Sequence, residues 1–503
     1  MPLSLLAFDL GAESGRAIAG QFNGRHLTLT ETHRFANTPV RLPHEFHWNI
    51  LGLWSEILQG IVSTAELVGE PLAGIGLDTW GVDFALLDDQ GHLVGNPYHY
   101  RDGRTDGMMT RAFEIVPRTE IFQQTGIQFM QINSLYQLLS LVETGSPALE
   151  TARTFLMIPD LLNYWLCGVQ TCEFSNATTT QCYDPQQRDW AYPLLSSLGI
   201  PESIFPAISH PGTVLGPLAH SVSEMTGVGS IPVIAPACHD TGSAVAAVPA
   251  ASDHYAWISS GTWSIVGVNV KEPVISDLAL RYNLTNEGGV HGDFRLSKNV
   301  MGLWLVQECR RTWANEGRSL GYDELTRMAA EAAPLQSIID PDVDEFLKPG
   351  DMPARIREFC AQTGQPVPQD EGAVIRCALD SIALKYRWVV EHLEAVVRYR
   401  LETVHIVGGG TRNELLSQLT ADCLERPVVT GPVEATAIGN LLAQAIALGQ
   451  LASWDEAREV VIDSFPVKTF EPQPDSADWD SAYERLGNLI AAVPLITTQG
   501  EKS

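Results

Sequence analysis

The chain has 503 residues, with 32 Lys and Arg against 60 Asp and Glu, so its formal net charge is −28. Its 45% hydrophobic and 18% charged residues are ordinary for a globular protein and exclude a disordered chain, a collagen and a coiled coil, while the length favours two or more domains. The acidity argues against a nucleic-acid partner, and it means that an anionic substrate needs local hydrogen-bond donors or a metal ion.

The sequence predicts neither a targeting segment nor a membrane span, and therefore no membrane partner. Residues 1–6 contain no basic side chain, and Asp9 interrupts the apolar run that follows them. The uncharged stretch 435–454 contains Asn440 and Gln444, which is typical of a buried helix with its exit loop.

The eight cysteines are scattered without a CxxC pair, in a chain too large to depend on disulfides. This pattern predicts a reducing compartment, the cytoplasm. The sequence leaves open whether Cys360 and Cys377 meet in space.

The first part of the chain is predicted to be rich in strands. Residues 4–10 and 16–20 form a hairpin around a glycine-containing turn. Apolar residues at helical spacing predict a helix over 51–68. A buried strand follows at 73–78, and residues 84–95 alternate strand and turn.

The middle of the chain is predicted to be helix-rich up to about residue 225. A buried strand over 231–238 then ends in the polar residues 239–243. Residues 255–268 repeat the layout of the N-terminus: a strand, a glycine turn and a second strand.

The last part contains the clearest helix, 379–397, whose apolar residues follow the i, i+3, i+4, i+7 pattern. A strand at 404–407 ends in three glycines, 408–410, and further helices open at Asn413 and near residue 435. The tail is predicted to hold one short amphipathic helix.

The repeated hairpin predicts two similar α/β halves that face each other across a cleft. Small residues over 243–250 place the seam and a hinge there. We therefore predict an N-terminal domain over 1–245, a C-terminal domain over 246–465 and a tail over 466–503.

Several familiar motifs are absent from the sequence: the GxxxxGK[ST] phosphate loop, HExxH, the GxSxG elbow, and a GxGxxG opening a helix after the first strand. The segment from Asp9 to Arg16 offers another route to phosphate binding. It combines a strand-end carboxylate for hydrated Mg²⁺, a turn with free backbone N–H groups, and a guanidinium. An ordinary hairpin turn is the alternative, and Glu13 has to point away from a phosphate or bind it through Mg²⁺ or water.

Two further segments are candidates for nucleotide binding. Residues 259–264, Ser-Ser-Gly-Thr-Trp-Ser, form the matching turn of the second half, where hydroxyl and N–H groups suit terminal phosphates; the alternative is again a plain hairpin. The glycines 408–410 remove every side chain, so that a flat ring such as adenosine can lie on the main chain; the alternative is a sharp strand-to-helix turn.

Polar residues at two strand ends suit a sugar and its phosphorylation. Asp240 is a candidate proton acceptor, with a helix cap as the alternative reading. His239 is expected to contact sugar at most. Residues 78–84 offer carboxylates and an indole for a sugar ring, or else a bulge with a core tryptophan, and residues 98–102 add polar groups. Asn299 and Gln307 flank a helix start that either side chain can simply cap.

Taken together, these segments resemble the FGGY family of carbohydrate kinases, from residue 4 to about 465. No single motif is specific, whereas the set is. The segments that carry the resemblance are Asp9–Arg16, Gly76–Phe84, Tyr100–Asp102, Gly126–Phe129, Asn176–Thr180, His239–Thr241, Ser260–Ser264, Asn286–Gly289, Lys298–Trp304 and Gly408–Gly410.

The resemblance implies a fold of two ribonuclease-H-like α/β domains, of the superfamily that includes actin, hexokinase and the heat-shock chaperone ATPases. It also implies ATP-dependent phosphorylation of the 1-hydroxyl of L-rhamnulose, in rhamnose breakdown, with Mg²⁺. Carried over by position, Asp240 resembles the proton acceptor. The expected substrate contacts are Gly81, His239, Asp240, Thr241 and Asn299, with Asp83 and Arg101 added from the residue patterns. The expected ATP contacts are Ala12, Glu13, Ser14, Gly15, Arg16, Thr262, Gln307 and Gly409, and Asp9 is the expected metal ligand.

Two rival functions stay open at this point. One is a kinase of the same family that acts on another ketose or polyol, such as fuculose, xylulose or glycerol. The other is a nucleotide-driven binding protein on the same core, chaperone-like or filament-forming, which hydrolyses ATP without sugar. The oligomeric state, monomer or homodimer, is open as well.

Overall fold

The computed structural model describes residues 3–473 and 477–492. The strands are β1 (Leu3–Leu10), β2 (Ser14–Phe22), β3 (Leu27–Ala36), β4 (Val40–Arg41), β5 (Phe46–His47), β6 (Gly74–Thr79), β7 (Phe84–Leu87), β8 (Thr154–Met157), β9 (Cys172–Glu173), β10 (Tyr183–Asp184), β11 (Asp189–Trp190), β12 (Ile208–Ser209), β13 (Thr213–Pro217), β14 (Pro232–Ala235), β15 (Tyr255–Ser260), β16 (Trp263–Val270), β17 (Thr285–Gly288), β18 (Phe294–Met301), β19 (Thr403–Val407), β20 (Val428–Thr430) and β21 (Lys468–Phe470).

The α-helices alternate with these strands over most of the chain. They are α1 (Ile50–Val68), α2 (Met108–Ile115), α3 (Arg118–Thr125), α4 (Ser134–Glu143), α5 (Pro147–Thr151), α6 (Ile158–Cys167), α7 (Phe174–Ala177), α8 (Tyr192–Ser197), α9 (His220–Thr226), α10 (Asp240–Ala246), α11 (Asp277–Tyr282), α12 (Trp304–Asn315), α13 (Tyr322–Glu331), α14 (Asp344–Leu347), α15 (Met352–Gln362), α16 (Glu371–Val397), α17 (Glu414–Leu424), α18 (Ala435–Ala447), α19 (Trp454–Ser464) and α20 (Trp479–Ala492). Short 3₁₀ helices lie at Gly103–Thr105, Thr178–Thr180, Glu202–Ile204 and Gly409–Arg412.

The chain divides into two compact units, and each unit is built from three separate stretches of the sequence. The first unit contains the residues up to Pro249 together with Asn269–Ser297 and Glu434–Pro466. The second contains Ala250–Val268, Lys298–Val433 and the described residues from Val467 onward. The predicted boundaries near residues 245 and 465, and the hinge between the halves, stay predictions.

The first unit is built on a six-stranded sheet in the order β13-β14-β6-β1-β2-β3. Its centre is parallel, since β1 pairs in parallel with β6, and β6 with β14. Strand β1 is buried from Ser4 to Leu10, as expected of a parallel strand covered on both faces. Strand β2 returns antiparallel to β1, so the predicted N-terminal hairpin is confirmed.

Helix α1 covers one face of this sheet, and its bounds confirm the helix predicted over 51–68. The Asn49 side chain accepts a hydrogen bond from the Gly52 N–H, and Gly69 ends the helix in the left-handed region. A Cβ on Gly60 would lie 2.6 Å from the Phe8 ring, so glycine lets the helix approach β1 closely.

The second unit repeats the plan, with strands in the order β16-β15-β19-β20-β21. Strands β15, β19 and β20 are parallel, and β16 returns antiparallel to β15, so the second predicted hairpin is also confirmed. Helix α16 begins at Glu371, before the predicted start at residue 379. The Asp370 side chain caps it there by accepting from the Ala373 N–H at 2.8 Å.

Two other predictions need correction or limitation. The strand predicted over 231–238 is shorter, since β14 ends at Ala235, and helix α10 begins at Asp240, close to the helix-cap alternative for that residue. The predicted helix of the tail is confirmed as α20, while residues 474–476 and 493–503 of the predicted tail lie outside the described residues. None of the described helices combines the length and apolar composition needed to cross a bilayer.

Candidate active site

The carboxyl ends of three parallel strands in the first unit carry most of the predicted site residues. Asp9 lies at the end of β1, and the register pairs it with Asp78 at the end of β6. The chain after β14 brings His239 beside Thr79 in a parallel bridge, and the Thr79 N–H donates to the Cys238 carbonyl at 2.9 Å. Polar side chains that follow parallel strands meet at one sheet edge, which is where open α/β sheets bind ligands.

Arg16 links two carboxylates at this edge. It stands opposite Asp9 in the β1–β2 hairpin and forms ion pairs with Asp9 and with Glu434, which precedes helix α18. Burial by itself would lower the pKa of Arg16, but the two carboxylates outweigh it and raise the pKa. Arg16 is therefore a charged guanidinium held in place by two carboxylates, and its expected contact with phosphate stays a prediction.

The turn between β1 and β2 leaves two backbone N–H groups without an internal partner in the described part of the chain. Among the described residues, no hydrogen bond involves the amide N–H of Ala12 or Glu13. The Glu13 side chain is exposed. The backbone carbonyl of Glu13 accepts from the Asn37 N–H at 3.0 Å. Ser14 begins β2, and a Cβ on Gly15 would lie 2.7 Å from a Leu10 methyl group, so packing alone requires glycine at that position.

Asp78 is fully buried beneath this edge. Its carboxylate accepts a hydrogen bond from the Asn440 amide at 2.6 Å, and the Gln444 amide donates to the Asn440 Oδ1 at 2.8 Å and to the Leu6 carbonyl at 2.9 Å. Burial raises the pKa of Asp78 well above its usual value, and the charge of Asp9 adds to this rise. Asp78 is thus a structural link between the sheet and helix α18.

Asp240, the predicted proton acceptor, is the first residue of helix α10. Its Oδ1 accepts from the Thr241 N–H at 2.6 Å and from the Thr241 hydroxyl at 3.2 Å, and 31% of its side chain is exposed. No hydrogen bond to its Oδ2 occurs within residues 3–473 and 477–492. Burial raises the pKa of Asp240, with the charge of Asp9 in the same direction and that of His239 against it. One carboxylate oxygen is therefore held and the other is available.

A buried glutamate that the sequence did not single out holds the loop before Asp240. Glu173 accepts from the Cys238 N–H at 2.9 Å and from both the N–H and the hydroxyl of Ser175. The Ser175 hydroxyl oxygen in turn accepts from the His239 N–H at 3.1 Å. The backbone of the loop before Asp240 is thus bonded to Glu173 of β9 and to Ser175. These bonds help to fix the position of Asp240.

The predicted sugar-binding segment is a rigid turn after β6. Val82 has a φ of 66°, which is strained for a β-branched residue, and Thr179 holds it by accepting from its N–H at 3.0 Å. A Cβ on Gly81 would lie 3.0 Å from the Thr179 side chain. Backbone strain of this kind occurs where the surrounding structure fixes a functional turn.

Asp83 lies behind this turn and is fully buried. Its carboxylate accepts from the indole N–H of Trp48 at 2.6 Å, from that of Trp80 at 3.0 Å and from the Gln137 amide at 2.9 Å. Burial raises the pKa of Asp83 to about 6, although these donors oppose the rise. Arg101 is half-buried beside the Tyr100 ring, 5.5 Å from its centre. Asp83 thus orients two indoles, and its expected contact with sugar stays a prediction.

The second unit holds the predicted ATP contacts Thr262, Gln307 and Gly409. The turn between β15 and β16 is fastened to the start of helix α12, since the Leu303 N–H donates to the Gly261 carbonyl at 3.0 Å and the Trp304 N–H to that of Thr262 at 3.1 Å. Gln307 follows one turn later. Its Oε1 is buried and has no hydrogen-bond partner among the described residues, so a polar group there is left for a ligand or water.

Glycine occupies positions 408, 409 and 410 for different structural reasons. A Cβ on Gly410 would lie 2.6 Å from the Ser260 Cβ, and one on Gly408, where φ is 85°, would lie 3.1 Å from the Ser260 carbonyl oxygen. A Cβ on Gly409 would have nothing within 4 Å. Packing against β15 therefore requires two of the glycines, and only Gly409 faces open space of the kind that a flat ring needs. Asn299, on β18, is half-buried and also belongs to the second unit.

The described residues contain no group of three or more His, Cys, Asp or Glu side chains able to hold a metal ion. A site with a single carboxylate still fits Mg²⁺, which keeps most of its waters and takes phosphate oxygens as further ligands. Asp9 is such a carboxylate, already ordered by Arg16. All eight cysteines are free thiols, Cys360 and Cys377 included.

Several residues that support the site were not predicted from the sequence, and only some of them have a recognisable pattern. Asn440 and Gln444 stand four residues apart in an otherwise apolar helix, a spacing that places both on one face. Nothing local marks Glu434, Glu173 or Trp48, whose roles depend on partners far away in the chain.

The comparisons with known proteins agree on the family. Residues 4–247 match the N-terminal domain of the FGGY family of carbohydrate kinases, and residues 256–448 match its C-terminal domain. A protein named rhamnulokinase from Bacteroides thetaiotaomicron is 44% identical over 490 residues, covering 97% of this chain and 100% of the relative. Another rhamnulokinase, from Pectobacterium atrosepticum, is 40% identical over 503 residues, covering 99% of this chain and 98% of the relative.

Solved structures share the fold at low identity. The ligand-bound xylulose kinase from Lactobacillus acidophilus superimposes with a TM-score of 0.81 at 16% identity, covering 97% of this chain and 99% of the other. Plasmodium falciparum glycerol kinase with ADP gives 0.78 at 14% identity, with 98% of both chains covered. The predicted fold class, two α/β domains of the actin and hexokinase superfamily, is confirmed.

Proposed function

The chain belongs to the FGGY family of carbohydrate kinases, and on that premise we propose that it transfers the γ-phosphoryl group of ATP to the 1-hydroxyl of L-rhamnulose. The observation that carries the proposal is Asp240, which follows a parallel strand of the first unit and keeps one carboxylate oxygen without a hydrogen-bond partner among the described residues. The names of the full-length relatives support L-rhamnulose as the sugar.

In this proposal Asp240 is the general base. As the sugar oxygen forms its bond to the γ-phosphorus, the bond from that phosphorus to the β,γ-bridging oxygen breaks and ADP leaves. The hydroxyl proton passes to Asp240 Oδ2. Asp240 Oδ1 stays bonded to Thr241, so the base does not rotate as it takes the proton.

The phosphates are assigned to the backbone turn at Ala12 and Glu13 and to Arg16. This assignment answers the problem set by the net charge of −28, because N–H groups and one fixed guanidinium bind an anion without a basic surface. Mg²⁺, held through Asp9, would neutralise phosphate charge when bound. The adenosine contacts are assigned to Gly409 and Gln307 of the second unit.

The sugar is assigned to the edge around Gly81, His239 and Asp240, with Trp80 as an aromatic wall. Glu173 and Thr179 fix the two loops on which these residues lie. Prepositioned groups of this kind supply much of the rate in phosphoryl transfer, which needs little covalent chemistry from the protein. We also propose a reducing cytoplasmic setting, which the free thiols support.

A coupled assay of ADP release tests the substrate. L-rhamnulose, fuculose, xylulose and glycerol are compared at equal concentration, with a sugar-free reaction as blank. The expected result is the highest kcat/KM with L-rhamnulose. Turnover of another member without turnover of L-rhamnulose would overturn the sugar assignment, and ATP hydrolysis that ignores sugar would favour a nucleotide-driven binding protein.

Asp240→Asn tests the base. We expect loss of sugar phosphorylation by about 10³-fold or more, with the dissociation constant of ATP nearly unchanged. Asp277→Asn is the matched control, since Asp277 is also the first residue of a short helix in the first unit and is exposed. An Asp240→Asn enzyme that retains wild-type turnover would reject the assignment.

A further inference from the structure

The antiparallel hairpin of β17 and β18 brings a buried ion pair next to the candidate base. Its register places Glu287 directly opposite Arg295. The Arg295 side chain has no exposed surface, and its Nη2 lies 3.2 Å from Glu287 Oε2. Its Nε donates to the Gly288 carbonyl at 2.9 Å, so the guanidinium is anchored within its own hairpin.

This guanidinium reaches the ring of His239. Arg295 Nη2 lies 3.0 Å from His239 Nδ1, and Glu287 Oε2 lies 3.3 Å from the same nitrogen. An arginine only donates hydrogen bonds, and a neutral imidazole has one donor and one acceptor nitrogen. If Nδ1 accepts from Arg295, the ring proton must be on Nε2.

The Nε2 atom faces the candidate base, 3.4 Å from Asp240 Oδ1. In the Nε2–H tautomer the ring therefore places an N–H group beside that carboxylate, a favourable electrostatic contact. In the other tautomer, Nδ1 would donate to Glu287 and a bare nitrogen lone pair would face the carboxylate, which is repulsive. The orientation of the ring proton thus decides whether His239 supports or opposes an ionised Asp240.

We propose that Arg295 is a positioning residue for phosphoryl transfer: by donating to Nδ1 it fixes His239 in the Nε2–H tautomer, which orients the Asp240 carboxylate, and Glu287 is the counter-ion that keeps Arg295 in place. The effect on catalysis rests on the proposed role of Asp240, whereas the tautomer does not.

The charges around Asp240 favour a donor beside it. The charge of Asp9 opposes the ionisation of Asp240, and the charge of Glu173 acts on Arg295. An Nε2–H group of His239 that faces Asp240 stabilises the carboxylate at short range.

The tautomer is measured directly by NMR on the full chain labelled with ¹⁵N-histidine. The signals of His239 are identified by their loss in His239→Gln. We expect a protonated Nε2 and a non-protonated Nδ1 near neutral pH. A proton on Nδ1, donated to Glu287, would overturn the proposal whatever the activity of the enzyme.

A double variant, Glu287→Leu with Arg295→Met, tests the consequence. Both charges are removed together because a single substitution leaves an unpaired buried charge and destabilises the fold. We expect the Nε2–H preference to weaken, because Asp240 alone then favours it, and kcat to fall on the order of tenfold, with KM for ATP unchanged. The acid limb of the pH profile should move to higher pH, because Asp240 loses a donor to its ionised form.

Glu56→Gln is the matched control, since Glu56 pairs with His33 at 2.6 Å on the partly exposed surface of the same unit. It should change neither the His239 tautomer nor the pH profile. A folded double variant, judged by circular dichroism, that keeps the wild-type tautomer and kcat would refute the proposal. If no sugar is phosphorylated by the wild type, the proposed function fails while the tautomer measurement still stands.

Discussion

The close approach of helices α10 and α18 gives a sharp test of how Asp240 is held. A Cβ built on Gly439 of α18 would lie 2.7 Å from the carbonyl carbon of Ser243, and closer still to its oxygen. Both atoms belong to the backbone of α10, so no side-chain rotation relieves the clash. Gly439→Ala must therefore push the two helices apart.

The size of the effect follows from these distances. Restoring a carbon–carbon contact of about 3.5 Å requires a shift of at least about 0.8 Å. Overpacking of this kind costs about 1–3 kcal/mol of stability, partly offset by the better helix propensity of alanine. Ser243 is three residues from Asp240, so the base moves with the helix, and a displacement near 1 Å lowers kcat by about 10²-fold.

The assay measures kcat with L-rhamnulose and the melting temperature of the same samples. Gly487→Ala in helix α20 is the matched control, because a Cβ there would have nothing within 4 Å. It should stabilise the protein by about 0.5–1 kcal/mol and leave kcat unchanged. Wild-type melting temperature and kcat in Gly439→Ala would refute the view that contact between α10 and α18 sets the position of Asp240.

Three further predictions concern buried polar groups and the glycine turn. The pKa of Asp83 is raised to about 6 from 3.8, so its contribution favours the fold while it is protonated and is lost as pH rises. From pH 4 to 7 the stability of the wild type relative to Asp83→Asn should fall by about 2 kcal/mol, measured by denaturant unfolding at each pH. Asn440→Leu removes the hydrogen bond to buried Asp78 and should lower the free energy of unfolding by about 2 kcal/mol; an unchanged value would show that the bond contributes nothing. Gly409→Ala should leave the melting temperature unchanged and raise KM for ATP, while Gly410→Ala should lower the melting temperature; the reverse pattern would contradict the assignment of adenosine to the open glycine.

Local sequence patterns were enough for the elements that carry the site. The two strand–turn–strand hairpins, the helix over 51–68 and the strand before Asp78 were predicted and are present. Apolar runs, glycine turns and helical periodicity are properties of neighbouring residues, so one sequence contains them. The position of Asp240 after a buried strand was predicted in the same way, with a helix start as the alternative, and the structure has the helix.

The sequence could not predict which side chains contact the site residues from distant parts of the chain. Arg16 meets Glu434 across 418 positions of chain, and Asn440 meets Asp78 across 362. The register of one hairpin sets Arg295 opposite Glu287, and the fold alone brings that pair to His239.

By itself the sequence determined the secondary structure, the polar residues at the strand ends and, through its motifs, the family. Tertiary structure decided which oxygen of Asp240 is free, which of three glycines faces open space and which charges stand behind His239. The physical reason is that propensity and periodicity act over a few residues, whereas hydrogen-bond partners, burial and the pKa of a carboxylate depend on side chains that only packing brings together.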